Sequence, residues 1–244
     1  MPRRSKRCAY CGAEGRKLTR DHVFPRGLFP PATTALNIQR LTVGACELCN
    51  NSFSDDEAHF RSVVTVAGPV TESAARVFRE KVIPSFDSQD GRRRLSDLME
   101  ITERVTVDGE VRLKIYPARD ERVLRIVRKC VIGLTHEHGL GSALPDIRVW
   151  ADVLRYALPT DMEADLEFRG SEPDVVEYAF LEKPFEEIDA LWLIRFFRRA
   201  SFIASVSSAD SHPARKESSG SGRVHVRADM SDDEGERVAR HCVG

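Results

Sequence analysis

The sequence carries almost no net charge: 37 Lys and Arg stand against 38 Asp and Glu, for a formal charge of −1. Bulk charge therefore does not announce a nucleic-acid binder, and any such role must come from local clustering. No apolar secretory segment opens the chain, because residues 1–7 are basic and polar. A reducing cytoplasm is the expected compartment. No apolar run approaches the ~20 residues that cross a bilayer, so no membrane association is expected. Ser218-Ser219-Gly220-Ser221-Gly222 lacks the Gly-Lys-Ser/Thr ending of a phosphate loop. There is no recognition-helix signature, no RNA-binding aromatic motif and no internal repeat, so nothing reads a base sequence.

What the sequence does have is a pair of Cys-x-x-Cys steps. Cys8-Ala9-Tyr10-Cys11 and Cys46-Glu47-Leu48-Cys49 bracket Thr19-Arg20-Asp21-His22-Val23-Phe24-Pro25, and Asn50 and Asn51 follow the last cysteine. Cys8, Cys11, Cys46 and Cys49 can supply four thiolates to one tetrahedral zinc at about 2.3 Å each. A closed four-sulfur site leaves no position for water or substrate, so this zinc is structural. Disulfides and a redox pair are the alternatives, and metal-type spacing in a reducing compartment ranks above both. Leu18 to Phe24 reads as a short strand ended by Pro25 and Gly27, and Asn50 falls at the start of a helix. Strand alternation places Asp21 and His22 on different sides unless the strand is twisted there.

Cys-x-x-Cys, Asp-His-x-x-Pro and Cys-x-x-Cys-Asn together resemble the HNH (ββα-metal) nucleases, in the form similar to the phage endonuclease VII type. The resemblance covers roughly residues 8–61. It implies that His22 is the general base for a water nucleophile, and that Asp21 and Asn50 hold a catalytic Mg²⁺ or Mn²⁺. A neutral imidazole, ordinarily titrating near ~6.5, suits proton abstraction at neutral pH. A hard cation with few protein oxygens keeps sites for water and phosphate. The family's middle asparagine, which orients the base, falls here on Leu41. Asn37 lies upstream as a substitute, displaced by an insertion at Thr42–Ala45, or else a backbone carbonyl does the work. Asn51 is the rival of Asn50 and points about 100° away on a helix. Glu57, seven residues beyond Asn50, can share its helical face or stand solvated.

Basic residues crowd the first segment, and Arg16, Lys17, Arg20 and Arg26 flank the motif. They are the candidate phosphate-backbone contacts. DNA is the expected partner through the resemblance, with RNA not excluded.

The fold class expected is α+β. Residues 1–68 form a zinc-stapled ββα nuclease domain, residues 69–207 an α+β accessory domain for substrate, protein partner or homo-oligomer contacts, and residues 208–244 a disordered tail. Ser54-Asp55-Asp56-Glu57 reads as a capping box opening a helix over 54–66, and a second helix spans 71–83. Arg92-Arg93-Arg94 reads as an exposed loop. Val105–Val107 and Val111–Ile115 alternate around Asp108-Gly109, a hairpin signal. Residues 120–135 form an amphipathic helix. Cys130 lies in its apolar stripe, Arg122, Arg125, Arg128 and Lys129 lie elsewhere, and Gly139 ends it after His136 and His138. Strands follow at Ile147, 175–181, 191–197 and 200–206. The function this implies is an HNH endonuclease, a metal-dependent phosphodiester hydrolase in a phage-defence, restriction or mobile-element setting. The alternative is a non-catalytic zinc module that binds DNA or protein.

Overall fold

A computed structural model of the chain describes residues 7–30, 40–67, 71–107, 110–115, 120–140, 147–154, 158–164, 166–172 and 174–208. The chain divides into units 1–212 and 213–244, and every described residue belongs to the first. Asn37, the Gly68-Pro69 break, the Asp108-Gly109 turn and the tail beyond 208 lie outside the described residues.

The fold mixes helix and sheet. Strand β1 (Leu18–His22) pairs antiparallel with β2 (Thr42–Cys46), in a register that sets Leu18 opposite Cys46 and His22 opposite Thr42. Helix α1 (Glu47–Ser52) follows directly, and α2 (Ser54–Val66) starts after one residue, Phe53. The expected capping box does not form. The residue before α2 is Phe53, no side chain caps the helix, and Glu57 turns its carboxylate elsewhere. The backbone explains this: Phe53 is itself near-helical (φ −98°, ψ −9°) and its carbonyl accepts from Glu57 N, so α1 runs almost continuously into α2.

Helix α3 (Glu72–Val77) passes through a π-helical turn (Phe78–Val82) into a short α4 (Ile83–Ser85), which contains Pro84 rather than ending before it. Arg92, Arg93 and Arg94 are not in a loop. They belong to α5 (Gln89–Glu100), which opens where the Ser88 hydroxyl accepts from Gly91 N. Gly91 is required there, since a side-chain carbon would meet Ser85 O at 1.8 Å. The hairpin β3 (Thr102–Val107) and β4 (Glu110–Ile115) pairs as the alternation predicts. Helix α6 (Glu121–His138) is capped by Asp120, whose side chain accepts from Arg122 N, and ends at left-handed Gly139 (φ 67°).

The C-terminal part is an antiparallel five-stranded sheet. Its strands are β5 (Ile147–Val153), β6 (Arg169–Glu172), β7 (Val176–Phe185), β8 (Ile188–Phe196) and β9 (Ala200–Ser208), with a short α7 (Thr160–Ala164) after β5. The spatial order is β5-β9-β8-β7-β6. Trp192, Phe196, Phe197 and Phe202 are fully buried, as the sequence implied.

One hydrophobic core crosses the expected boundary at residue 68. Phe24 packs on Tyr178 and Phe196, and Phe60 packs on Phe196 and Phe202. Each ring pair adds about 0.5–1.5 kcal/mol beyond its buried area. Val23 of the N-terminal segment meets Gly133 of α6, where a side-chain carbon would lie 3.0 Å from Val23 Cγ2. Among the described residues, no helix is long and apolar enough to cross a membrane.

Candidate functional site

The first Cys-x-x-Cys pair sits on a tight turn. Cys8 N donates to Ala13 O at 3.0 Å, Gly12 N donates to Cys8 O at 2.9 Å, and Gly12 takes a positive φ of 67°. Ala9 N bonds Gly44 O at 2.8 Å, which ties this turn to β2. The second pair straddles the strand-to-helix step: Cys46 ends β2 and Cys49 lies in the first turn of α1. The ligand atoms of all four cysteines lie within 4.8 Å of one another, and Cys11 Sγ is 3.8 Å from Cys46 Sγ. A tetrahedron with ~2.3 Å metal–sulfur bonds has an edge of about 3.8 Å. Cys8 Sγ also accepts from Cys46 N at 3.3 Å, and the N–H of Cys49 pulls the Cys46 thiol down to about 6. Donors aimed at sulfur favour the thiolate. The four cysteines are unbridged, and the quartet can hold a metal ion such as zinc.

Strand β1 presents two different faces. Thr19 and Asp21 face inward. Asp21 is 7% exposed, and its Oδ2 accepts from Tyr10 Oη at 2.7 Å and from Lys129 Nζ at 2.9 Å. Lys129 comes from α6 and its side chain is wholly buried. Its ammonium also donates to Glu57 Oε1 at 2.6 Å and to the His22 carbonyl at 3.0 Å, and it lies 5.3 Å from the Phe53 ring centroid. Burial alone would lower the Lys129 pKa, but Glu57 and Asp21 outweigh it and raise it. Burial first, and Asp21 second, push the Tyr10 phenol upward, so Tyr10 remains a donor. The sequence reading set Lys129 off the apolar stripe, and this is corrected. Its spacing of three from Ile126 and four to Gly133 puts it on the buried face of α6.

These contacts decide the fit of a divalent cation. The resemblance assigns Asp21 to Mg²⁺, but its Oδ2 already takes two donors, and a buried ammonium fills the space between Asp21, Glu57 and the His22 carbonyl. Asn50 turns its amide to Thr19, with Nδ2 donating to Oγ1 at 3.0 Å. Among the described residues, the cysteine quartet is the group of His, Cys, Asp or Glu close enough to cage an ion. The oxygen donors as arranged do not fit a second, catalytic metal. Asn51 is exposed on α1, and Glu57 serves Lys129 rather than solvent.

His22 lies on the other face of β1, half-buried. Burial chiefly, then Arg40, lowers its pKa below the ordinary 6.5, with Arg26 and Lys129 acting the same way and Asp21 opposing. The ring is therefore neutral at pH 7. Its Nδ1 is buried without a hydrogen-bond partner among the described residues. Nothing described orients the ring, and the candidate Asn37 lies outside the described residues.

Arg16, Lys17, Arg20 and Arg26 are all exposed along this edge. The sequence reading missed a further set: Arg40, Arg61, Lys81 and Arg94, which gather at the segment following His22. It also missed a buried pair, His59 on α2 and Asp120 at the start of α6, whose Nε2 and Oδ2 are 2.5 Å apart. His59 lies one residue before Phe60 on the buried face of α2, a position legible from helical spacing. No family model, curated protein or solved structure matches the chain.

Proposed function

We propose that this protein is a phosphodiester hydrolase acting on DNA, an endonuclease of the HNH type, with a zinc held by Cys8, Cys11, Cys46 and Cys49. The observation that supports this best is His22, a half-buried imidazole whose neutral form is favoured, set among cations at the end of β1 on the face opposite the Asp21 cluster. Bound zinc would supply cross-linking, fixing the turn before β1 and the start of α1 so that the strand carrying His22 is held. A phosphodiester lying against Arg26 and Arg40 has its charge offset by guanidinium groups. Water attacks phosphorus. His22 accepts the proton that water loses, a new P–O bond forms, the ester P–O bond breaks, and the leaving oxygen takes a proton from solvent. Asp21, Tyr10, Glu57 and Lys129 act on the inner face, where they fix the strand and hold the His22 carbonyl. No step is drawn through Mg²⁺ or Mn²⁺, because Asp21 is occupied.

The test is nicking of supercoiled plasmid by the zinc-loaded protein, with Mg²⁺, with Mn²⁺ and with neither. His22→Ala is expected to abolish nicking while keeping stoichiometric zinc. Equal nicking by wild type and His22→Ala would sink the reading. A second reading, a non-catalytic zinc module that binds DNA or protein, is favoured by the commitment of Asp21 to Lys129. DNA retention with no nicking under any metal condition selects it.

A further inference from the structure

Four cations that make no carboxylate ion pair within 4.0 Å among the described residues converge on the turn after His22. The 3-10 turn Arg26–Leu28 carries Arg26 itself. Arg61 of α2 lies directly against Gly27: a side-chain carbon there would sit 2.5 Å from Arg61 Nη1 and 3.2 Å from its Cδ. Gly27 thus lets the guanidinium pack flat on the turn backbone. Lys81, from the π-helical turn, donates from Nζ to Phe29 O at 2.7 Å and keeps further donors on the same ammonium. Single π-helical turns are frequent at functional sites. Arg40 stacks its guanidinium 4.1 Å above the Phe29 ring and borders the group. Arg94 comes from α5, which packs on α2, and its charge lowers the pKa of Arg61.

The nearby acids are used elsewhere. Glu57 is bonded to Lys129, and Glu80 is bonded to Arg76 at 3.0 Å. The Nε atoms of Arg61 and Arg94 are buried without a partner among the described residues. Burial, and then the neighbouring cations, lower the pKa of both Arg61 and Lys81 against the smaller opposing pull of Glu57 and Glu80, which marks the repulsion the fold tolerates here. Gathering like charges with unfilled donors costs stability unless an anion offsets it, and guanidinium forks match phosphate oxygens.

We propose that Arg26, Arg61, Lys81 and Arg94 form a binding site for a doubly charged phosphate, the terminal monoester of a nucleic-acid strand, beside His22. Four cations are more than one internal phosphodiester charge needs, and a terminal phosphate carries nearly twice that charge. The setting beside a hydrolytic base rests on the proposed function, but the binding itself does not require cleavage.

The probe is inorganic phosphate, titrated into the full-length zinc-loaded protein by calorimetry and by thermal shift, with chloride at matched ionic strength as control. A rise in Tm and saturable binding are expected. Arg94→Gln, at the half-exposed end of the cluster, is expected to weaken phosphate about tenfold, with Lys81→Gln similar. A duplex with a 5′- or 3′-terminal phosphate is expected to bind more tightly than the same duplex ending in hydroxyls, and Arg94→Gln should erase that difference. Absence of any phosphate-specific shift in the wild type overturns the proposal, as does an unchanged affinity in Arg94→Gln and Lys81→Gln with native Tm. Equal binding of phosphorylated and hydroxyl-ended duplexes overturns the strand-end assignment. His22→Ala separates the two ideas: phosphate binding should survive in it even if no variant cleaves DNA.

Discussion

Asp21 and His22 are neighbours in the chain and belong to different worlds in the fold. Asp21 points into a closed ionic cluster with Tyr10, Glu57 and Lys129, whereas His22 points to a half-open edge crowded by arginines. The cause is the two-residue period of a strand, which sends successive side chains to opposite faces. A motif written as two adjacent letters therefore need not deliver both side chains to one pocket. The inner residue secures the strand, and the outer one is the residue to which the proposed hydrolysis is assigned.

The contrast can be broken in several ways. The largest effect is expected from the cysteine quartet when it is loaded with zinc. Chelation of the metal, or Cys49→Ser, is expected to remove most of the order of the N-terminal segment, because structural zinc sites contribute about 10–16 kcal/mol to folding. Limited proteolysis between residues 8 and 49, with and without chelator, measures it. Next comes the inner face. Lys129→Ala strands two carboxylates in the interior and is expected to cost about 3–5 kcal/mol by urea unfolding. If Asp21 is only a metal ligand, Lys129→Ala and Asp21→Asn will leave metal-free stability untouched, and the contrast fails.

His22→Ala reverses the pattern. Nicking should fall about 10²- to 10⁴-fold, with stability changed far less than in Lys129→Ala. A smaller effect concerns pH. The folded-state pKa of His22 is lowered, so the base stays mostly unprotonated at neutral pH and is half lost only at a pH below the ordinary 6.5. The acid limb of the nicking rate should therefore lie under 6.5, and Arg26→Gln, removing one repelling cation, should move it upward. A limb above 6.5 would contradict the burial and charge seen around the ring. Smallest of all, Asn51→Ala on the exposed side of α1 should stay within about 0.5 kcal/mol of wild type and leave nicking unaltered.

Much of the architecture was legible before any coordinates. The cysteine spacing announced the quartet, the Asp-Gly alternation announced the β3–β4 hairpin, and the apolar period announced α6 and β7 to β9. The failures are instructive. Arg92-Arg93-Arg94 reads as a loop because Asp90-Gly91 precedes it, yet Gly91 is there for close packing on Ser85 inside a helix. Ser54 reads as a cap, but α1 arrives already coiled, and the Phe53 carbonyl takes the Glu57 N–H that a capping Ser54 side chain would have accepted from. Lys129 reads as a surface charge because lysines are seldom wholly buried, and only its partners, 108 and 72 residues away in sequence, make that burial tolerable. The cluster of Arg26, Arg61, Lys81 and Arg94 is assembled from separate elements, which no local pattern encodes.

The aromatic contacts that join Phe24 and Phe60 to Tyr178, Phe196 and Phe202 have a practical meaning for anyone cutting the gene. The motif-bearing stretch is not a transplantable cassette. A fragment ending near residue 68 would carry Phe24, Phe60, Val63 and Val64 as raw surface and would lose the lysine that clamps Asp21, so it should precipitate rather than work. The C-terminal sheet is the other half of the same jaw, and shuffling domains at that point would divide a single folding unit.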